Sequence, residues 1–203
     1  MTPFRTVIRN LHILTGLFIS PFILIYSFGV LTFNNEGLLN RLSPVKRLPE
    51  IKTKLDTIPY GETDLAVAKA VCKKLDIVGE VDFISRWKGH LSFPVNKPGL
   101  RTIININTIN DSVSVSREQL GSLRAMSYLH QMPGPHNENI RGNSTFLKFW
   151  RVMSNAVGYF LLFLATSGVL IWLLLKSERK MGVFVLILGS VTLTCLILLI
   201  LNS

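Results

Sequence analysis

Residues 181–201 read MGVFVLILGSVTLTCLILLIL and contain no aspartate, glutamate, lysine or arginine. Two further stretches share this property, residues 11–33 (LHILTGLFISPFILIYSFGVLTF) and residues 152–175 (VMSNAVGYFLLFLATSGVLIWLLL). About 20 helical residues, at 1.5 Å of rise each, cover the ~30 Å hydrocarbon core of a bilayer. The three stretches therefore predict three transmembrane helices in an integral membrane protein.

These stretches divide the chain into six parts. We expect a tail at 1–10, a first span at 11–33, an extramembrane domain with linkers at 34–145, a second span with its lead-in at 146–175, a turn at 176–180 and a third span at 181–201. The first apolar stretch is longer than that of a signal peptide, and no small-x-small cleavage motif follows it. We therefore expect an uncleaved anchor.

Basic residues in the short loops predict the orientation. Two precede the first span and three lie between the last two spans: Arg5 and Arg9, then Lys176, Arg179 and Lys180. Because short cytoplasmic loops are enriched in lysine and arginine, both regions are expected in the cytoplasm. The N-terminus is then cytoplasmic, and the extramembrane domain lies on the outer side.

The formal net charge of +10 does not indicate a nucleic-acid-binding protein. Residues 34–145 hold 15 Lys or Arg against 11 Asp or Glu, a net of +4, without a basic helix interleaved with aromatic residues. Much of the remaining excess flanks the spans, where basic residues anchor helices. The expected partners are the membrane lipid bilayer and a protein, either another subunit or a second copy in a homodimer.

The extramembrane domain is predicted to have an α+β fold. Residues 34–60 are rich in proline and lysine and are typical of a linker, whereas residues 63–75 have the apolar spacing of an amphipathic helix. Four β-like runs follow, at about 81–87, 91–95, 101–107 and 112–116. The short turns between them favour antiparallel pairing. The prediction is one helix on an antiparallel sheet of about four strands.

Alternation within the runs predicts which side chains face that helix. Phe83, Trp87 and Ile104 alternate with polar neighbours and are expected to point into the core. After the strands, we expect a helix at 117–129 and a Pro/Gly-rich loop at 132–143.

The order of one helix and four strands, with a last hairpin at 103–115, resembles a PepSY domain. Short motifs in and beside the spans are similar to the PepSY-associated transmembrane family: Leu11-His12 with Gly16, Leu129-His130, and Thr166-Ser167-Gly168-Val169 followed by Trp172. The resemblance covers most of the chain. It implies a bacterial inner-membrane protein with a periplasmic domain.

The resemblance implies two functions. Smaller PepSY-containing proteins inhibit or regulate other proteins outside the membrane, which implies a non-enzymatic binding, regulatory or accessory subunit. Some longer members resemble haem-containing reductases, which implies as the alternative a haem-linked electron-transfer component of iron or siderophore reduction. The chain differs from those longer members in having three spans and a single outer domain.

His12 is the only histidine in a predicted span. An ionisable residue inside a bilayer is costly and is a candidate functional site. His12 is also close to the end of the span, where its ring can reach water. Haem b held by two imidazoles needs a second imidazole at the same depth, so His12 would bind haem only together with a second chain. The alternative is a simple interfacial residue.

His130 and His136 lie on either side of Met132 in a Pro/Gly-rich segment. Imidazole and thioether groups are suitable copper ligands, so the two histidines are a candidate metal site. The alternative is a solvated turn, and His90 is expected to be exposed in another turn. No Gly-x-Ser-x-Gly or His-Glu-x-x-His motif is present, so no catalytic residue is predicted, and Cys72 is expected to be buried and inert.

Small and polar residues recur at three- and four-residue steps in the second span: Asn155, Gly158, Leu162, Ala165, Gly168 and Trp172. Such residues, with Gly16 in the first span, are predicted to pack helices closely. The partner is either the first span of the same chain or another chain. Asn155 is expected inside the bundle, because an unsatisfied amide facing lipid is costly.

Overall fold

The computed structural model describes residues 3–55, 58, 63–131, 138–175 and 179–202, without the side chains of residues 38, 138 and 139. Seven helices are present in the described chain: α1 (Pro3–Phe33), α2 (Glu36–Leu42), α3 (Asp64–Lys74), α4 (Gly121–Gln131), α5 (Glu138–Arg141), α6 (Thr145–Leu173) and α7 (Arg179–Leu201). The strands are β1 (Lys46–Arg47), β2 (Ile51–Lys54), β3 (Glu80–Val81), β4 (Ser85–Trp87), β5 (His90–Lys97), β6 (Leu100–Asn107) and β7 (Ser112–Gln119).

Three helices, α1, α6 and α7, are long and apolar enough to cross a membrane. This result confirms the prediction of three such segments. α1 begins at Pro3, eight residues before the apolar stretch begins at Leu11, so Arg5 and Arg9 belong to the same helix.

α7 has no buried residue along its length. Its hydroxyl groups are satisfied within the helix, because Ser190, Thr192 and Thr194 each donate a hydrogen bond to the carbonyl four residues earlier, at 2.8 Å. A helix that is apolar on all sides, with its polar side chains bonded internally, suits a lipid environment.

The chain divides into two compact units. The helix unit consists of residues 1–20 and 155–203, and the domain unit consists of residues 21–154. The domain unit contains an antiparallel sheet in the order β1-β7-β6-β5-β3, with β2 also paired to β7 and β4 also paired to β5. The predicted mixture of helices with an antiparallel sheet is confirmed, but the described sheet has seven strands and not about four, because β1 and β2 pair with β7 and the run predicted at 81–87 is divided into β3 and β4.

Some local predictions are wrong. Residues 34–60, expected to be a linker, contain α2, β1 and β2, and both strands pair with β7. Basic residues in such short strands are typical of sheet edges, where they prevent pairing with other chains. The helix expected from residue 117 begins at Gly121, because β7 continues to Gln119. The described part of the expected loop at 132–143 contains the short helix α5.

The core of the domain unit lies between α3 and one face of the sheet. Val67, Ala68, Val71 and Cys72 of α3 are at most 2% exposed. They belong to the same cluster as the buried strand residues Leu91, Phe93, Val95, Ile104, Ile106, Val113 and Val115. α3 starts where expected, because the Thr63 hydroxyl caps it by accepting a hydrogen bond from the Ala66 N–H at 3.3 Å.

Ile104 is buried as predicted, but Phe83 and Trp87 are 83% and 67% exposed. The reason is a break in the alternation between β3 and β4. Val81 is buried, and Ile84, three residues later, packs against the same core. An odd step between two inward-facing residues reverses the alternation, and Phe83 then points outward.

Candidate functional site

His12 belongs to the helix unit and contacts α6. Its Nδ1 lies 2.8 Å from the Ser167 Oγ, and Ser167 is 2% exposed. A Cβ at Gly168 would lie 3.4 Å from His12 Cε1, so the glycine leaves room for the ring. The imidazole lies near the end of the apolar stretch and is held there by a side-chain hydrogen bond to a neighbouring helix.

The contact between α1 and α6 within the helix unit uses only part of the predicted packing set. Gly16 lies near Leu164, with a Cβ at Gly16 reaching 3.9 Å from its Cδ2, and the Phe18 and Phe160 rings meet edge to face at 5.8 Å. Gly16 and Gly168 thus lie at helix contacts.

Asn155 and Gly158 do not lie at this contact. Both are exposed, no heavy atom lies within 4 Å of a Cβ built at Gly158, and Asn155 has no side-chain hydrogen bond to any described residue. The buried residues of α6 are Leu147, Val157 and Ser167, and the last two each lie one position before a predicted glycine. One residue corresponds to about 100° around a helix, so the buried positions Val157 and Ser167 lie beside the face that carries Gly158 and Gly168.

In the domain unit, aromatic rings gather where α1, α4 and α6 meet, and we call them the juxtamembrane cluster: Phe22, Tyr26, His130 and Trp150. The Tyr26 ring lies 5.8 Å from that of His130 and 6.2 Å from that of Trp150. Tyr26 also donates to the Ser154 Oγ at 2.6 Å, and Trp150 Nε1 donates to the Leu129 carbonyl at 3.3 Å. The first bond joins α1 to α6 and the second joins α6 to α4, whereas the contact between α1 and α4 is that of the Tyr26 and His130 rings.

Gly29 allows His130 to approach α1. A Cβ at Gly29 would lie 2.5 Å from His130 Cβ, closer than any side chain tolerates. His130 therefore takes part in helix packing. Its proposed metal partner, His136, lies outside the described residues, and the described chain holds no group of three or more His, Cys, Asp or Glu residues that could bind a metal ion.

The segment before α6 is fastened to the sheet edge, and we call this connection the Asn143 clamp. Asn143 Oδ1 accepts from the Gly79 N–H at 2.8 Å, and its Nδ2 donates to the Ile77 carbonyl at 2.9 Å. Its own N–H donates to the Gly79 carbonyl at 3.3 Å, and Gly142 forms a β-bridge with Glu80. A single residue, Ser144, separates the clamp from α6.

The connection between α1 and the domain is also held by hydrogen bonds. α2 follows α1 after only Asn34 and Asn35. At its end, the Ser43 hydroxyl donates to the Leu120 carbonyl at 2.7 Å, and Arg124 Nε donates to the Ser43 carbonyl at 3.1 Å. Both ends of the domain are thus held by side-chain hydrogen bonds.

A polar cavity of about 260 Å³, here called the Glu80 cavity, lies in the domain unit. Its polar lining comes from the sheet edge, α4 and α5: Glu80, Asp82, Asn96, Tyr128, Gln131 and Arg141. Glu80 is 5% exposed and accepts a hydrogen bond from the Tyr128 hydroxyl at 3.3 Å. Asn96 Nδ2 donates to Asp82 Oδ2 at 3.1 Å, and Arg141 donates to the Asp82 carbonyl at 3.0 Å.

The other candidates offer little chemistry. Burial raises the pKa of the Cys72 thiol to about 12, so a nucleophilic thiolate does not form there at neutral pH. His90 is exposed, as predicted.

The sequence pattern did not reveal Glu80, Tyr128 or Asn143, which lie far apart in the chain and belong to no motif. The available signal was a lone glutamate between Val78 and Val81, both apolar, since a charge in such a run needs partners when it is buried. Comparison with protein-family models, curated proteins and solved structures found no match to the chain.

Proposed function

We propose that the chain is a three-span protein of a bacterial inner membrane with its N-terminus in the cytoplasm. The extramembrane domain of residues 34–145 is PepSY-like and lies on the periplasmic side. The function is non-enzymatic: the domain binds a protein partner, as a regulator or an accessory subunit. The three apolar helices, the basic short loops and the order of helix and strands support this proposal.

The observation that carries the binding function is an exposed surface on two neighbouring hairpin turns, which we call the hairpin-tip patch and which consists of Trp87, Lys88 and Ile109. Trp87 is 67% exposed and Ile109 is 81% exposed. The Lys88 Nζ lies 4.7 Å from the centre of the Trp87 ring. Tryptophan is among the residue types that contribute most to the affinity of protein interfaces.

The two turns are held together before any partner binds. The Thr108 N–H and hydroxyl donate to the Gly89 carbonyl at 2.7 and 2.9 Å. A Cβ at Gly89 would lie 3.0 Å from Ile109 Cδ1, so the two turns are in contact. Because the patch is already ordered, a partner does not have to compensate for the entropy of ordering it.

Photo-crosslinking in native membranes tests this surface. A photoreactive residue at Ile109 is expected to give one discrete adduct, and Trp87→Ala in the same chain should abolish it. An adduct of twice the chain mass identifies a second copy, and another mass identifies a different subunit.

The control substitution is Phe83→Ala, which removes another exposed aromatic ring from the same domain and should leave the adduct unchanged. A probe at Lys54, exposed on β2, should give none. An Ile109 adduct that survives Trp87→Ala, or the absence of any adduct, would contradict the hairpin-tip patch as a binding surface.

A second candidate is haem-linked electron transfer, and one observation favours it. The hydrogen bond between His12 Nδ1 and Ser167 Oγ orients the ring, and Nε2 has no hydrogen bond to any described residue. A hydrogen bond at one ring nitrogen, with the other directed at the metal, is common for histidine ligands of metals. A haem held by two imidazoles does not fit a single chain, because no other histidine lies in the three apolar segments. A second chain is required.

The absorption spectrum of protein purified from haem-supplied cells decides between the two functions. The binding function predicts a colourless protein and no effect of His12→Ala on yield or colour. A Soret band that disappears with His12→Ala, and not with His90→Ala, would favour the electron-transfer alternative instead.

A further inference from the structure

Exposed apolar side chains also occur in the domain unit at the points where the chain leaves the long helices. Four of them, together with one exposed lysine, are here called the interfacial set: Phe33, Leu42, Phe146, Lys148 and Phe149. The four apolar side chains are 53–87% exposed. Large apolar side chains that the described chain leaves uncovered at neighbouring positions indicate contact with a partner or a membrane.

The positions of two phenylalanines along α6 determine their depth relative to a bilayer. The charge-free stretch begins at Val152, and Phe149 and Phe146 precede it by about 4.5 and 9 Å along the helix axis, at 1.5 Å per residue. The headgroup region extends about 5–8 Å beyond the hydrocarbon core on each side. With Val152 at the boundary of that core, Phe149 lies among the headgroups and Phe146 lies at their outer edge.

Leu42 reaches the same region from the other connection. It belongs to α2, and only Asn34 and Asn35 separate α2 from Phe33, the last residue of the first apolar stretch. The first residue of α2 therefore lies at most about 11 Å from Phe33. Within α2, Leu39 is 6% exposed and packs inside the chain, whereas Leu42 is 62% exposed. α2 thus carries, close to the membrane, an apolar side chain that the domain does not bury.

Lys148 provides charge complementarity with lipid. It lies between the two phenylalanines in the first turns of α6 and is exposed. A lysine can lay its apolar stem along acyl chains while its ammonium group reaches the lipid phosphates. Phenylalanine and leucine beside a basic residue are typical of segments that lie in a membrane interface. The set therefore matches the headgroup region, where acyl chains and phosphates are adjacent.

We propose that the interfacial set docks the domain on the headgroups of the leaflet that it faces. The occupant of this surface is the same bilayer that α1 and α6 are long and apolar enough to cross, because the set continues directly from those two helices. This contact belongs to the extramembrane domain and uses none of the residues of the hairpin-tip patch.

Docking at this end leaves the hairpin-tip patch at the opposite end of β7. The Ser43 hydroxyl, directly after α2, donates to the carbonyl of Leu120, directly after β7. The turn that carries Ile109 precedes β7, and the seven steps from Ser112 to Gln119 extend about 24 Å. The lipid contact and the partner contact of the domain are therefore separated by the length of this strand.

The test attaches the fluorophore NBD to single cysteines of the full-length chain in nanodiscs, in a Cys195→Ala background. Leu42→Cys and Phe149→Cys report on the interfacial set. Ile109→Cys, at another exposed apolar position of the same domain, is the control, and Leu162→Cys, within the apolar stretch of α6, reports on the acyl chains.

Lipids that carry a nitroxide near the headgroup should quench the fluorophore at Leu42 and at Phe149 at least twofold. A water-soluble nickel chelate, and not the lipid nitroxide, should quench the fluorophore at Ile109. A labelling ratio of one fluorophore per chain confirms that Cys72 is still buried and that the domain is folded.

A double variant tests whether the apolar side chains cause the docking. Phe146→Asp with Phe149→Asp should reduce lipid quenching of the Leu42 fluorophore by at least half, because a carboxylate is poorly tolerated among the acyl chains. Aspartate in the first turns of a helix interacts favourably with the helix dipole, so α6 should still form. Phe83→Asp, at an exposed phenylalanine outside the set, is the matched control and should leave the quenching unchanged.

Several results would overturn the proposal. Quenching of the Leu42 fluorophore by the nickel chelate alone would show that the domain stands clear of the bilayer, and protection from both quenchers would show that protein covers the set. Equal lipid quenching at Ile109, or a Leu42 signal that the double variant does not change, would show that the set does not direct the docking. No lipid quenching at Leu162 would show that α6 is not in lipid at all.

Discussion

The core of the domain unit and helix α7 are both rich in large apolar side chains, but the chain buries those of the core and leaves those of α7 exposed. Leu91, Phe93 and Ile104 are completely buried by α3 and the sheet, whereas no residue of α7 is buried by the rest of the chain. A domain in water must cover its apolar residues itself. A helix that covers none of them, over its whole length, is stable only in a solvent that is apolar.

The largest expected effect on stability concerns the buried core of the domain unit. Phe93→Ala leaves a cavity in a small core and should reduce the free energy of unfolding of the domain by about 3–5 kcal/mol. Phe83→Ala removes the same ring from an exposed position and should change it by no more than about 0.5 kcal/mol.

Alkylation of Cys72 during heating measures both effects in the full-length chain, in a Cys195→Ala background. The thiol is buried in the folded domain and becomes reactive when the domain opens. Equal shifts for the two variants would contradict the outward orientation of Phe83.

The next effect concerns the membrane insertion of the exposed helix α7. Val191 lies in the middle of α7, and Val191→Lys should oppose membrane insertion by about 2.5–3.5 kcal/mol. Met181→Lys, near the helix start, should have little effect because its long side chain can reach the interface.

A reporter fused after Asn202 measures the insertion of α7. It should report the outer side in the parent and in Met181→Lys, and the cytoplasm in a large fraction of Val191→Lys molecules. If Val191→Lys inserts normally, α7 does not cross the bilayer as a lipid-exposed helix.

The same contrast explains which features the sequence predicted. More than 20 residues without charge have few alternatives to a span, and period-two alternation with tight turns specifies hairpins. The orientation of Phe83 depended on one break in that alternation. The face of α6 depended on whether Gly158 or its neighbour Val157 packs, and small residues occur on both faces. The Glu80 cavity depends on tertiary proximity, which no local pattern contains.

A smaller effect concerns close packing in the domain unit. Gly29→Ala would place a Cβ 2.5 Å from His130 Cβ, and such overpacking typically destabilises by about 1–3 kcal/mol. Gly158→Ala meets open space and should be neutral or slightly stabilising, since alanine favours a helix. Melting temperatures of the two variants in the same detergent measure this difference. A larger decrease in melting temperature for Gly158→Ala than for Gly29→Ala would mean that Gly158 lies on a packed face of α6.

The smallest effect concerns the polar contact of the helix unit. Ser167→Ala removes the hydrogen bond to His12 and should cost about 0.6 kcal/mol, the average for such bonds between membrane helices. Ser190→Ala removes a hydroxyl that bonds only within α7 and serves as the control. Unfolding in increasing SDS, followed by circular dichroism, resolves the two variants. A Ser167→Ala effect no larger than that of the control would mean that His12 gains nothing from α6.

The two connections of the domain, Asn34–Asn35 after α1 and Ser144 before α6, determine its reach. Two peptide steps span at most about 7 Å, so the domain cannot diffuse away from the ends of these helices. If one partner binds both the membrane helices and the hairpin-tip patch, this short tether gives the patch an effective concentration on the order of millimolar. A dissociation constant well below that concentration is then sufficient for near-complete occupancy, and the same domain released into solution would compete poorly with the anchored form.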